Sequence, residues 1–287
     1  MTTKGGINMS FENFQRTVWC KKINKKLPTV TGLKNHSDLQ YEGDIENAKE
    51  LKILGIQDIT IKDYVKGESL EREHVSDKSQ TLRLDQQKYF NFDVYDVDQA
   101  QSNPGVMDSY AENASQGLSE MADKRIGEVV ADATLEIPTI EENPHIQSID
   151  ISTATKTTIV EKVEEALVIL YENNVKSTQP LHLELRPAKF SLFRQALTEV
   201  YTNNVEMLKQ GIVGKYAQAL VSIENNLGKA NDKYVNILRT KKAVAYAGCL
   251  RSIEPFRPED DFTDALKGLF VFGVRIVNPE QIVGLIG

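Results

Sequence analysis

The sequence predicts an α+β fold, with one long helix laid on a sheet and an arm reaching away from the body. Three segments carry that expectation. Residues 81–97, TLRLDQQKYFNFDVYDV, alternate, with Leu82, Leu84, Phe90, Phe92 and Val94 on one side, the period of a strand with one covered face. Residues 102–134 repeat Met107, Ala111, Ala114, Leu118, Ala122, Ile126, Val129 and Ala133 every three or four positions, the period of an amphipathic helix. Residues 269–277, LFVFGVRIV, are apolar at both parities, which predicts a central strand covered on both faces.

Composition sets the outer limits. A chain of 287 residues, 40% hydrophobic and 26% charged, can bury a substantial core and is neither a disordered nor a membrane-spanning type. Its most apolar run, 268–277, is interrupted by Arg275 and falls short of the ~18 residues a spanning helix needs. The N-terminus has no continuous apolar stretch and no small-residue cleavage site, so no secretion signal is expected. Cys20 and Cys249 are the only cysteines, too few for a disulfide scaffold or a four-cysteine zinc site. His36, His74, His145 and His182 are too scattered for a histidine-rich metal motif.

Charge divides the chain. Residues 1–34 hold Lys4, Arg16, Lys21, Lys22, Lys25, Lys26 and Lys34 against Glu12, a balance of +6, which leaves −13 for the rest of a chain of net charge −7. A basic arm before an acidic body suits docking on an acidic neighbour or plain solvation better than general nucleic-acid binding. Within the arm, Phe11, Phe14, Val18 and Trp19 recur at helical spacing.

Next comes a ribbon. Residues 56–65 (IQDITIKDYV) alternate, residues 66–80 (KGESLEREHVSDKSQ) are polar and charged, and the alternation resumes at 82. A strand over 82–94 would span roughly 43 Å at about 3.3 Å per residue. Residues 52–95 therefore predict a two-stranded ribbon with a charged tip. An isolated ribbon is marginal in water, so the expectation is an arm covering a neighbouring subunit. Pro104 suits the first turn of the helix that follows, about 45 Å long at ~1.5 Å per residue. Its opposite face carries Asp108, Glu112, Glu120, Asp123, Glu128 and Asp132.

Beyond Pro138 and Pro144, Thr158 and Glu161 predict a capping box opening a helix to about Asn174. Residues 181–186 predict a strand ended by Pro187, residues 190–200 a helix and residues 217–223 a short strand; residues 241–247 are apolar without a clear period. The strand over 269–277 is expected to be the last. His182 and Glu184 share one strand face and predict a surface or cross-strand pair. Cys249 is expected as a small core residue.

Catalytic signatures do not occur. The sequence has no Gly-x-Gly-x-x-Gly, phosphate loop, Gly-x-Ser-x-Gly or His-Glu-x-x-His. Asp93, Asp96 and Asp98 lack the glycine and downstream glutamate of a calcium loop. No catalytic residue, cofactor or metal ligand is expected.

The order of these parts resembles the major capsid (coat) proteins of tailed double-stranded DNA bacteriophages. The resemblance runs from about Tyr41 to Gly287. Its most specific stretch is LRLDQQKYFNFDVYDVDQAQS leading into PGVMDSYAENASQGLSEMADKRI; the closing KKAVAYAGCLRSIEPFRPEDDFTDALKGLFVFGVRIVNPE resembles the end of that family. The resemblance implies an N-terminal arm (1–40), an extended loop (52–95), a peripheral domain (96–150 and 262–287) with its spine helix at 104–134, and an axial domain (151–261).

The function so implied is a structural protein, not an enzyme, assembling in the host cytoplasm into pentamers and hexamers of an icosahedral head within the virion. Its partners would be other copies of itself, packaged DNA contacted weakly, and separate scaffolding, portal and decoration proteins, with no membrane. Only about forty residues precede the shared region, so scaffolding is expected from another protein or not at all. The expected inter-subunit contacts are Lys21, Lys22, Lys25 and Lys26 of the arm, and Lys66, Glu68, Glu71, Arg72, Glu73, Asp77 and Lys78 of the tip. The alternative is a bacterial nanocompartment shell of the same fold enclosing an enzyme cargo. A metabolic enzyme would need a pocket of convergent polar groups that the sequence does not offer.

Overall fold

The computed structural model describes residues 32–41, 49–55, 78–95, 106–139, 143–176, 178–199, 214–259 and 263–287. The arm up to residue 31, the expected strand at 56–65 and residues 66–77 of the expected tip lie outside the described residues.

Two sheets and a ribbon make up the body. In chain order the elements are helix α1 (Gly32–Asn35), strands β1 (Glu50–Gly55), β2 (Lys78–Arg83) and β3 (Gln86–Tyr95), helix α2 (Val106–Ala133), β4 (Gln147–Asp150), α3 (Thr158–Glu172), β5 (Leu181–Leu185), α4 (Pro187–Glu199), β6 (Lys215–Tyr216), β7 (Ala219–Ile223), β8 (Lys229–Ala230), β9 (Lys233–Thr240), β10 (Val244–Phe256), β11 (Thr263–Ile276) and β12 (Ile282–Ile286).

The long helix is α2, 28 residues and so about 42 Å. Leu118, Ala122, Ile126, Val129, Val130 and Ala133 form its buried stripe and pack with Tyr246, Phe270 and Phe272 of β10 and β11. Gly127 lets the helix backbone lie against the 226–228 loop, since a side chain there would collide with the Asn226 carbonyl.

β11 is the middle of a three-stranded antiparallel sheet, β10-β11-β3. Its central place and double apolar face match the sequence expectation, and the reason is specific. Phe270 and Phe272 point into the core under α2, while Val271 and Leu269 point into a second cluster with Ile53, Leu82 and Leu84 of the ribbon root. The sheet therefore has the spine helix on one side and the ribbon root on the other.

The predicted long strand over 82–94 is in fact two strands. β2 pairs with β1, the chain breaks at Leu84 and Asp85, and β3 pairs with β11. The ribbon partner also starts earlier than expected, at Glu50. The turn occurs where Leu84 is buried and Asp85 takes Arg125 of α2 at 3.2 Å, fixing the chain as it passes from one side of β11 to its edge.

The larger sheet has the order β4-β12-β9-β5-β7-β6, with β8 paired to β9. Helices α3 and α4 cover one face, burying Ile159, Val163, Leu167, Leu170, Phe190 and Phe193 against Leu183, Leu185, Leu238, Val283 and Leu285. The expected capping box at α3 does not form. Thr157 occupies the N-cap without a side-chain bond, and Thr158 Oγ1 instead accepts from the Thr155 N–H at 2.9 Å. Nor is β11 the last strand: β12, IVGLI, follows it and pairs in parallel with β4 and antiparallel with β9.

Strand pairing also crosses the expected domain boundaries. β10 begins inside the segment assigned to the axial domain yet pairs along its length with β11. β12, assigned to the peripheral domain, sits in the larger sheet. The residues 241–247 resolve into a short 3-10 turn, Lys241–Ala243, and the start of β10. No helix among the described residues is long and apolar enough to cross a membrane.

Candidate functional site

The pair β1–β2, at the root of the expected ribbon, is held to the body in three ways. β1 and β2 pair antiparallel from Glu50↔Arg83 to Gly55↔Lys78. Ile53, Leu82 and Leu84 are buried against Ala245, Ala247 and Val271. Arg275 Nη1 donates to the Thr81 carbonyl at 2.5 Å, and Gln80 Nε2 to the Val277 carbonyl at 3.2 Å. Gly273 makes the crossing of β2 over β11 feasible, because a side chain there would overlap the Arg83 carbonyl.

Of the expected contact residues, the structure describes only Lys78, which opens β2 opposite Gly55. Lys21, Lys22, Lys25, Lys26, Lys66, Glu68, Glu71, Arg72, Glu73 and Asp77 lie outside the described residues.

A second feature has no counterpart in the sequence expectations. Where α1 enters the body, a buried charge cluster joins the arm root, the larger sheet and the spine helix. Arg239 of β9 and Glu184 of β5, both with 0% exposed side chains, meet through Nη2–Oε1 at 2.9 Å and Nε–Oε2 at 3.1 Å. Arg239 also donates to Ser37 Oγ at 2.9 Å and to the Leu33 carbonyl at 2.8 Å. His36 Nδ1 lies 2.9 Å from Glu184 Oε1, and its ring stacks on His182 at 4.1 Å. Asp123 of α2 accepts from the peptide N–H of Lys34 at 2.9 Å and of Gly32 at 3.2 Å. Glu224, just after β7, has its carboxylate against Gly32, where a side chain would collide with Oε1. An isolated bridge to β10 continues this anchoring, with Asp38 N–H donating to the Val244 carbonyl at 2.8 Å and Tyr246 N–H to the Asp38 carbonyl at 3.0 Å.

Burial sets the protonation of this cluster. It pushes Asp123 up to about 6, against the pull of the two peptide N–H groups. It pushes Glu224 up to about 8, aided by the Glu184 and Asp123 charges. Burial alone would raise Glu184 too, but Arg239 and His36 outweigh it and hold that carboxyl below its ordinary value. His182 is lowered to about 4 by burial and by His36. One arginine thus serves three buried carboxyl groups.

The expected His182–Glu184 surface or cross-strand pair is therefore a buried cross-strand pair of Glu184 with Arg239, with His182 stacked beside it. Asp123, expected on the acidic face opposite the apolar stripe, is 3% exposed. The only sequence signal for either was the parity of Glu184 and the position of Asp123 one residue after Ala122 of the stripe. Cys249 is partly buried against the ribbon-root cluster, close to the expectation. Among the described residues no three metal-ligating side chains come together. A cavity of about 540 Å³ beside the arm root is lined by Leu39, Pro180, Lys241 and Lys242 among others.

A spine helix and a ribbon root on opposite sides of a three-stranded sheet, joined to a larger helix-covered sheet, define the fold of the major capsid proteins of tailed bacteriophages, and this chain has that fold. A solved chain of Mycobacterium phage Che8 superposes with a TM-score of 0.71 at 23% identity, over 89% of this chain and 90% of that one. The capsid structure of the cyanophage P-SCSP1u also gives 0.71, at 14% identity, over 100% of this chain and 92% of that one. The crystal structure of a virus-like particle from Pyrococcus furiosus gives 0.56 at 17% identity, over 96% and 100%. No protein-family model and no curated protein sequence matches.

Proposed function

We propose that this chain is the major capsid protein of a tailed phage, building pentamers and hexamers of an icosahedral head around double-stranded DNA. The observation that carries the reading is the superposition on a cyanophage capsid chain across all of this chain and 92% of that one. The clamped root of the expected ribbon supports it physically: hydrophobic burial, a backbone ladder and two side-chain bonds hold β1 and β2 to the body, as an arm that covers a neighbouring subunit would require. The role is structural, without catalysis, in a virion assembled in the host cytoplasm with scaffolding, portal and decoration proteins as separate partners.

The domain division follows the sheets: a peripheral part of α2 with β3, β10 and β11, and an axial part of α3, α4 and the larger sheet, with β12 and β4 in the latter. The acidic body makes weak contact with packaged DNA, since tight phosphate binding needs clustered Lys and Arg.

The second reading, a nanocompartment shell around an enzyme cargo, draws on the virus-like particle match, which has the lower TM-score. Electron microscopy of the purified protein tests both. Closed shells support the proposal, and their absence under every assembly condition overturns it. Packaged DNA in particles from infected cells separates a head from a shell that holds protein cargo.

A further inference from the structure

We propose that the arm root, residues 32–38, is a proton-gated plug: it seats in the charged cleft between the spine helix and the larger sheet while Glu224 carries a proton, and it loosens when Glu224 ionises. This goes beyond the shell reading and holds whether or not the chain builds a shell.

The geometry is that of a plug. The cleft is made by Asp123 of α2, Glu184 of β5, Glu224 after β7 and Arg239 of β9. The arm root brings what completes it: two peptide N–H groups for Asp123, Ser37 Oγ and the Leu33 carbonyl for Arg239, and His36 for Glu184. Leu33, fully buried, joins the core under α2, and Lys34 lies over the Tyr246 ring at 4.8 Å. Most of these groups are polar and come from one short segment. Removing the segment lets water reach all three carboxyl groups, so seating and protonation are linked.

Glu224 is the gate because it faces like charges and the plug at once. The groups that act on it are Glu184, Asp123 and Arg239, and its Oε1 sits against Gly32 of the plug. An ionised Glu224 would be a third carboxylate beside one arginine. The seated state raises its pKa to about 8, so the stabilisation is present at low pH and lost as pH rises through about 8. Asp123, raised to about 6, acts in the same direction at lower pH. His182, lowered to about 4, acts in the opposite one, favouring the plug as pH rises toward 6.5. Among these shifted groups, Glu224 alone governs the window from pH 6.5 to 8.

Amide hydrogen exchange of the full-length protein tests this, with protection factors corrected for intrinsic exchange. Protection of residues 32–38 should fall about tenfold per pH unit from 6.5 to 8, the slope of one proton. The Glu224→Gln variant should be flat over that window, and Asp123→Asn should lower protection while keeping the slope. Residues 235–240 of β9 serve as the control and should be flat throughout. A flat wild type, or an equal slope in Glu224→Gln, overturns the proposal. If that variant fails to fold, a carboxyl-carbon NMR titration of Glu224 in the wild type decides: a midpoint near 8 supports the gate, and one near 4.5 sinks it.

Discussion

Arg239 and Glu184 face each other from neighbouring strands through two hydrogen bonds of 2.9 and 3.1 Å, neither side chain exposed at all. Removing one partner leaves the other charge buried and uncompensated, which costs about 3–5 kcal/mol. Arg239→Met should therefore lower unfolding stability in urea by that order. Pairing it with Glu184→Leu should recover most of the loss, since matched apolar residues avoid the buried charge. A double variant no more stable than the single one would show that the pair's other partners, Ser37 and the Leu33 carbonyl, dominate.

His182 predicts an acid limb. Its pKa is lowered to about 4 from 6.5, so between those values the unfolded chain holds more protons at this site than the folded one. Stability from this group is present above about 6.5 and is lost as pH falls toward 4. His182→Phe should lose less stability than the wild type on going from pH 6.5 to 4, read as the difference between two urea-unfolding series. Parallel pH profiles would contradict the shift.

Leu82 is the most buried apolar side chain of the ribbon root, at 0% exposure. Leu82→Ala should cost about 2–5 kcal/mol through transfer and cavity effects. Because the loss falls on β2, exchange protection there should drop more than in α3. If α3 loosens equally, the root and the larger sheet unfold as one unit.

Gly273 makes a sharper test of the same crossing. Its substitution by Val should unseat β2 from β11 while α3 and α4 remain folded, giving protein with near-native helical circular dichroism that does not form shells. Normal shells would show that the crossing can shift to admit the side chain.

The tip residues give the assembly test. Reversing the charges of Glu68, Glu71 and Glu73 together should impair shell yield at low salt, and reversing Lys21, Lys22, Lys25 and Lys26 as well should partly restore it. Each exposed pair is worth only ~0–1 kcal/mol, but a shell repeats it at every subunit. Unchanged yield in the triple variant, measured by sedimentation, would remove the tip–arm pairing from the account.

Local periodicity carried much of this fold and failed where partners change. α2 was legible because its stripe from Leu118 to Ala133 is buried along its whole length, against β10 and β11 and against strands of the larger sheet, and β11 because both of its faces meet apolar cores. The break at Leu84–Asp85 was not. Leu82 and Leu84 have the same parity as Phe90 and Phe92, yet the first two face the ribbon-root cluster and the others the core under α2. A period of two records that a face is covered, not which partner covers it. The charge cluster was illegible for a related reason. Arg239 lies 55 residues from Glu184 and 202 from Ser37, so only the pairing of β5 with β9 and the seating of the arm root bring them together.

β11 and its neighbour β10 form the wall between two cores, and that gives β11 a mechanical role in the proposed shell. A pull on the ribbon enters the body through β2, crosses at Gly273, and is passed by β11 to the spine helix that packs on its far side. β10 and β3 flank β11 with antiparallel ladders, so a load along the strand direction is shared in shear by many hydrogen bonds at once. In such a shell, strain between neighbouring subunits would reach a sheet that is laddered on both edges and packed on both faces, so that many bonds would have to yield together before a strand could peel away.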